Sequence, residues 1–275
     1  MTRGAQRSPH LERVGRIFKR LRNDALGTVS RIATTEPVVA LAFDDGPHPV
    51  YTPRVLDVLA DHDAHATFFM LGVHAAAHPD VARRVAAAGH AIGNHTYDHP
   101  SFPLVGARER RQLSTPVWSW TFSPVSRLTL LARLHVGTPK FFRHGSFASH
   151  ASVRFLGYET VGWSAHASDW ERRDSRWIFE RLLAQVKPGA IVLLHDALYT
   201  PKTPEVADRS AMIDALRMLL EALSPRYRFV TVPELLTLGR VVRSWYLAPD
   251  RAFLATLENY DRYAPPRRPP PSSST

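Results

Sequence analysis

Short, mostly apolar runs recur through the chain, separated by stretches with helical spacing. The runs are VVALAF (38–43), ATFFML (66–71), HAIGNH (90–95), KFFRH (140–144), ETVGWS (159–164), AIVLLH (190–195) and RFVTV (228–232). Runs that stay apolar rather than alternating predict strands covered on both faces, as in a parallel sheet. Between them, TPRVLDVLADH opens with Thr52 as a candidate N-cap and Pro53 at the first helical position. HPDVARRVAAAG ends on Gly89, and DSRWIFERLLAQVKPG stops at Pro188-Gly189. AMIDALRMLLEAL places Met212, Leu216, Leu219, Leu220 and Leu223 on one face. This alternation predicts an α/β fold: a distorted (β/α) barrel with about seven parallel strands and right-handed crossovers. The closed form is preferred because polar residues recur where several runs end, which is where barrels assemble their sites. Residues 108–138 are less regular. Their STPVWSWTFSP suits a strand or an apolar lid, with core packing the preferred reading.

The 275 residues, 44% of them hydrophobic, suffice for one large core. The expected organisation is a basic arm over 1–35, a main domain over 36–240, an extension over 241–264 and a disordered Pro/Ser tail over 265–275. The net charge of +10 favours anionic partners, but much of it sits at the ends, from Arg3 to Arg22 and at Arg267 and Arg268. Nucleic-acid binding would call for aromatics among those basic residues, and Phe18 is the only one in the first thirty or so. No nucleic-acid partner is expected. No apolar run is long enough to cross a bilayer, and the basic start lacks the apolar block of a secretory signal. A cytoplasmic location is expected, with weak membrane-surface contact of the arm open through Leu11, Val14, Ile17, Phe18 and Leu21. With no cysteine, disulfides and thiolate metal sites are excluded, so any metal must take His and carboxylate ligands.

Chemistry gathers at the ends of the runs. Asp44 and Asp45 follow the first, His95 and His99 the third, Arg143 the fourth, Asp169 and Trp170 the fifth; His195 and Asp196 end or follow the sixth. Taken alone, each has a plain reading. Asp-Gly-Pro is ordinary turn sequence, and a single His is more often structural than a ligand. A barrel would bring those ends to one rim, where two adjacent acids resist joint ionisation unless a cation sits beside them. Acids and imidazoles on successive run ends of one sheet raise the odds of a metal site there.

These residues stand in recognisable motifs: AFDDG (42–46), HTYDH (95–99) and LLH (193–195), with RFVTVPELL closing the pattern. In this combination the chain resembles the polysaccharide deacetylases, the NodB-homology or carbohydrate esterase family 4 enzymes, over about residues 36–238. The resemblance implies that Asp45, His95 and His99 hold one divalent metal, zinc first, with cobalt, manganese, nickel or iron as alternatives. It implies that Asp44 is the base and His195 the acid, that Asp169 supports His195, and that Arg143 pairs with Asp44. The backbone N–H of Ser146 would complete an oxyanion site, and Trp170 and Leu193 would wall the acetyl group and sugar, or else simply pack the core. The reaction implied is hydrolysis of an N-acetyl group on an amino sugar, making an N-acetylated carbohydrate the partner. Two motifs depart from the family. FFRHGSFASH keeps the Arg but lacks the usual prolines, and His166 stands where the fourth motif has its first acid. An O-acetyl ester or non-sugar amide hydrolase and a catalytically impaired binding homologue are the competing readings.

Overall fold

In the computed structural model, residues 27–99, 158–244 and the two-residue strand at 131–132 are described. Five of the apolar runs become strands close to where the pattern puts them: β2 (Val38–Asp44), β3 (Ala66–Met70), β4 (Ala91–Asn94), β8 (Ala190–His195) and β9 (Arg228–Val230). With β1 (Thr28–Ala33), β5 (Leu131–Ala132), β6 (Glu159–Thr160), β7 (Ala165–His166) and β10 (Arg240–Ser244) they form one ten-stranded sheet, ordered β10-β1-β8-β2-β3-β4-β5-β6, with β7 also paired to β8 and β9 to β2. The pairs among β2 to β9 are parallel, while β1 runs antiparallel to both β8 and β10. The sheet curls until Val161, just past β6, bridges Val29 of β1, and the Gly162 N–H donates to the Val29 carbonyl at 2.7 Å. A mixed α/β protein with a distorted barrel results, as expected. The run at 140–144 lies outside the described residues.

Alternation along each strand divides the core in two. Val39, Leu41 and Phe43 of β2 and Val192 and Leu194 of β8 point outward into a layer shared with helices α1 (Tyr51–Ala60), α3 (Pro79–Ala87), α4 (Ser175–Leu183) and α6 (Ser210–Leu223). Each fully buried Leu, Val or Phe there contributes roughly 1.5–3 kcal/mol. The opposite residues, Val38, Ala40, Ala42 and Ile191, fill the barrel with Val29, Ile32 and Phe69. The short helix α7 (Val232–Leu235) closes one end, its Val232 N–H donating to Thr67 Oγ1 at 2.8 Å. Gly93 is required on this inner face, because a Cβ there would overlap the ring of Phe69. The inward series on β2 and β8 ends in Asp44 and His195, which places both on the rim.

Some expectations are corrected. Residues 28–33, within the expected basic arm, are a sheet strand, and β10 takes up the first residues of the expected extension. The run ETVGWS is not one strand. It pairs with β5 at Glu159–Thr160, touches β1 at Val161, and passes to β8 at Ala165–His166, changing partner at Gly162. Helix α1 starts two residues early, with Val50 at the cap position, so Thr52 lies inside the first turn. Asp174 caps α4 by accepting the Trp177 N–H at 2.8 Å, and that helix ends at Leu183, ahead of Pro188. Among the described residues, α2 (Gly72–Ala77) and α5 (Pro204–Ala207) complete the helices, and no helix is long and apolar enough to cross a membrane.

Candidate active site

Asp44, the last residue of β2, lies in register with His195, the last of β8. The chain then turns sharply, with Asp45 in the left-handed region at φ 72°. Gly46 follows because the carboxylate of Asp196 occupies the space its Cβ would need. On the neighbouring rim, His95 leaves β4 and its N–H donates to the Met70 carbonyl at 2.9 Å. The Gly72 and Val73 N–H groups, at the start of α2, hold the carbonyls of Thr96 and Tyr97, both at 2.9 Å. This loop contains two more left-handed non-glycine residues, Thr96 (φ 76°) and His99 (φ 55°). Such residues cost on the order of 1–3 kcal/mol each and persist where their surroundings force them, typically at functional sites.

The result is a compact cluster. Asp45 Oδ1 stands 3.2 Å from Nε2 of His95 and 3.2 Å from Nε2 of His99, while Asp44 Oδ2 is 3.9 Å from His95 Nε2. All are buried. One potential ligand atom from each of Asp45, His95 and His99 falls within 4.8 Å of the others, the only such group among the described residues. Burial opposes the charge on Asp45, but His99 and His95 overrule it and hold the carboxyl well below its usual range. Burial brings His99 down to about 4, against the pull of Asp45, so its imidazole is neutral at pH 7. An ionised carboxylate and neutral imidazole converging in a buried pocket are what a divalent cation requires. The residues fit a metal.

The cluster is braced from behind. The Tyr199 N–H donates to Asp45 Oδ2 at 3.1 Å, and His74 Nδ1 lies 2.6 Å from the Asp45 carbonyl. The Tyr199 ring lies against both His99 and His74. Below it, Thr52 is fully buried. Its hydroxyl accepts the His48 N–H at 2.8 Å and donates to Asp196 Oδ2. Burial pushes the carboxyl of Asp196 up to about 7.

Across the rim, His195 Nδ1 is 3.1 Å from Asp169 Oδ1, and the His195 backbone N–H donates to Asp169 Oδ2 at 2.9 Å. Burial works against the imidazolium of His195, yet Asp169 overrides it and the pKa lies above its ordinary value. The pKa of Asp169 is lowered despite burial, by His195 and then Arg209. With Nδ1 committed to Asp169, Nε2 remains to face a reacting group. Trp170 presents its ring to His195 edge-on at 5.3 Å and stacks on His166 at 5.5 Å. Leu193 is buried and shares its inward face with Ile191 and His195.

Eight of the ten residues singled out from sequence are thus placed; Arg143 and Ser146 lie outside the described residues. Local reading missed Arg209, the Thr52–Asp196 bond, His74 and Tyr199. One signal was available for Arg209: a cation at the start of α6 opposes the helix dipole, which suggests a partner elsewhere.

A family model described as polysaccharide deacetylase matches residues 31–119. A chitooligosaccharide deacetylase of Sinorhizobium fredii is 36% identical over 209 residues, spanning 74% of this chain and 93% of that protein. A peptidoglycan-N-acetylglucosamine deacetylase of Bacillus cereus is 35% identical over 208 residues, spanning 74% and 91%. The crystal structure of the Bc1960 peptidoglycan N-acetylglucosamine deacetylase superposes with a TM-score of 0.67 at 27% identity, covering 80% of this chain and 98% of that one. With motifs, curled sheet and buried Asp–His–His cluster agreeing, this chain belongs to the polysaccharide deacetylase family.

Proposed function

We propose that the protein hydrolyses the N-acetyl group of an amino sugar, in an oligo- or polysaccharide or a glycosylated intermediate, with one zinc ion held by Asp45, His95 and His99. The observation that supports this is the buried Asp45, His95 and His99 group, with Asp44 Oδ2 3.9 Å from His95 Nε2 and the Asp169–His195 pair beside Asp44 at the end of β8. The relatives named as chitooligosaccharide and peptidoglycan N-acetylglucosamine deacetylases support the substrate class. A divalent cation bound here supplies Lewis acidity, polarising an acyl oxygen and making water a better nucleophile at neutral pH.

The side chains do the rest. Asp44, at the rim and not needed as a ligand, accepts a proton from water as the new C–O bond forms. Asp169 favours the imidazolium of His195 and raises its pKa, and His195 Nε2 delivers a proton to the departing nitrogen as the C–N bond breaks. Acetate and a free amine result, and the two proton transfers balance. Trp170 and Leu193 provide apolar walls for the acetyl methyl and the sugar ring. Arg143 takes the role of partner to Asp44, and the Ser146 N–H that of an oxyanion donor.

Acetate release measured side by side on N-acetylchitooligosaccharides, peptidoglycan fragments and O-acetylated sugars tests the assignment. Turnover of the N-acetyl substrates is expected. Release from O-acetyl sugars alone would overturn the amide assignment.

A further inference from the structure

Arg209 has a share in the site that no motif assigns. It is 2% exposed and sits at the N-terminal cap of α6, where a positive charge disfavours the helix. Its guanidinium is spent on the residues around the proton donor. Nη2 donates to both the carbonyl and Oδ2 of Asp169, each at 2.8 Å. Nη1 donates to the Val206 carbonyl at 2.9 Å and Nε to the His195 carbonyl at 3.2 Å. A buried arginine is costly to desolvate unless its donors are satisfied. Here four of its five N–H donors are bonded, and three of those bonds reach Asp169 or His195.

We propose that Arg209 is a positioning residue for the proposed reaction, holding Asp169 and His195 as one rigid unit and fixing which imidazole nitrogen faces the substrate. The carboxylate of Asp169 has two oxygens with separate duties. Oδ2 takes the Arg209 Nη2–H and the His195 backbone N–H, leaving Oδ1 for His195 Nδ1. Without Arg209 the carboxylate can rotate about its terminal torsion, and the Nδ1–H tautomer loses its fixed acceptor. Because Nε also grips the His195 carbonyl, the end of β8 is tied to the loop carrying Asp169. Lysine would keep the charge but not the planar fork that spans these acceptors.

This inference rests on the reading of His195 as proton donor, so its test must separate the two. The zinc-loaded full chain is assayed for acetate release from an N-acetylchitooligosaccharide, with His195→Gln, Asp169→Asn, Arg209→Met and Arg209→Lys alongside. The imidazole nitrogens of His195 are followed by 15N NMR without substrate. Arg209→Met is expected to lower kcat by roughly 10–100-fold, the scale typical of losing an outer orienting partner, with KM within about twofold. Zinc content should not change, and the His195 Nδ1–H signal should shift or broaden. Arg209→Lys should recover only a small part. If Arg209→Met does not fold, Arg209→Gln replaces it with the same expectation. Full turnover by His195→Gln and Asp169→Asn would defeat the proton-donor reading itself. Loss of turnover in those two, with unchanged kcat and NMR signal in the Arg209 variant, would overturn the positioning role alone.

Discussion

Thr52→Val is isosteric and leaves the packing of α1 intact, yet it removes two hydrogen bonds, one buried and one half-buried. One is from the His48 N–H, at 2.8 Å, and the other goes to the carboxyl of Asp196. Each polar group stranded in this way costs about 1–3 kcal/mol, so the loss should be roughly 3 kcal/mol. For a domain of this size that lowers Tm by roughly 5–10 °C. The deficit should also depend on pH. Burial raises the folded-state pKa of Asp196 to about 7, above that of an exposed carboxyl, so the folded chain holds a proton that the unfolded chain has released. The contribution of Asp196 to stability is therefore fully present below the ordinary carboxylate range and is lost as pH rises through about 7. The Thr52 hydroxyl favours the ionised form, and removing it raises that pKa further. The penalty should grow between pH 5 and pH 8. Urea unfolding of the wild type, Thr52→Val and Thr52→Ser at both pH values, with zinc in constant excess, gives the numbers. Repeating Thr52→Val in an Asp196→Asn background should remove the pH dependence. A Thr52→Val penalty under about 0.5 kcal/mol at both pH values, well below the cost of a stranded group, would refute the reasoning.

Other expectations concern the rim and the sheet. Asp44→Asn should keep zinc bound while turnover falls by about 10²–10⁴, as for loss of a general base, read by metal analysis and kcat. Asp169 holds the His195 pKa up, so activity should extend above the pH at which an ordinary imidazole loses its proton. Asp169→Asn should move that alkaline limb to lower pH, visible in a kcat–pH profile. Deletion through Ala33 removes β1, which joins β10 to β8 and meets Val161. Circular dichroism and thermal melting should show a chain that no longer unfolds cooperatively.

The inner strands were legible because burial on both faces leaves a continuous apolar run, as in VVALAF and AIVLLH. β1 and β10 were not, because only one side of each meets the core. Arg31 of β1 is exposed, and Arg243 of β10 pairs with Glu159 at 2.6 Å, so both segments read as basic and polar. Gly162 hid another feature, since the exchange of partners there depends on β1 and β8, far away in sequence. Thr52 shows why local rules fall short. Its position before Pro53 suits an N-cap, but an acceptor 144 residues away claims its hydroxyl. The Asp–His–His cluster was readable because HTYDH and DDG carry their spacing within a few residues. Arg209 was not, because the groups it orients lie on two other segments, at Asp169 and His195.

Zinc binding to the purified chain, followed by calorimetry and compared with Asp45→Asn and His99→Ala, tests the central claim most directly. One tightly bound ion per chain is expected, lost in both variants together with acetate release. Undiminished zinc binding in those variants, or deacetylation that survives thorough chelation, would contradict it.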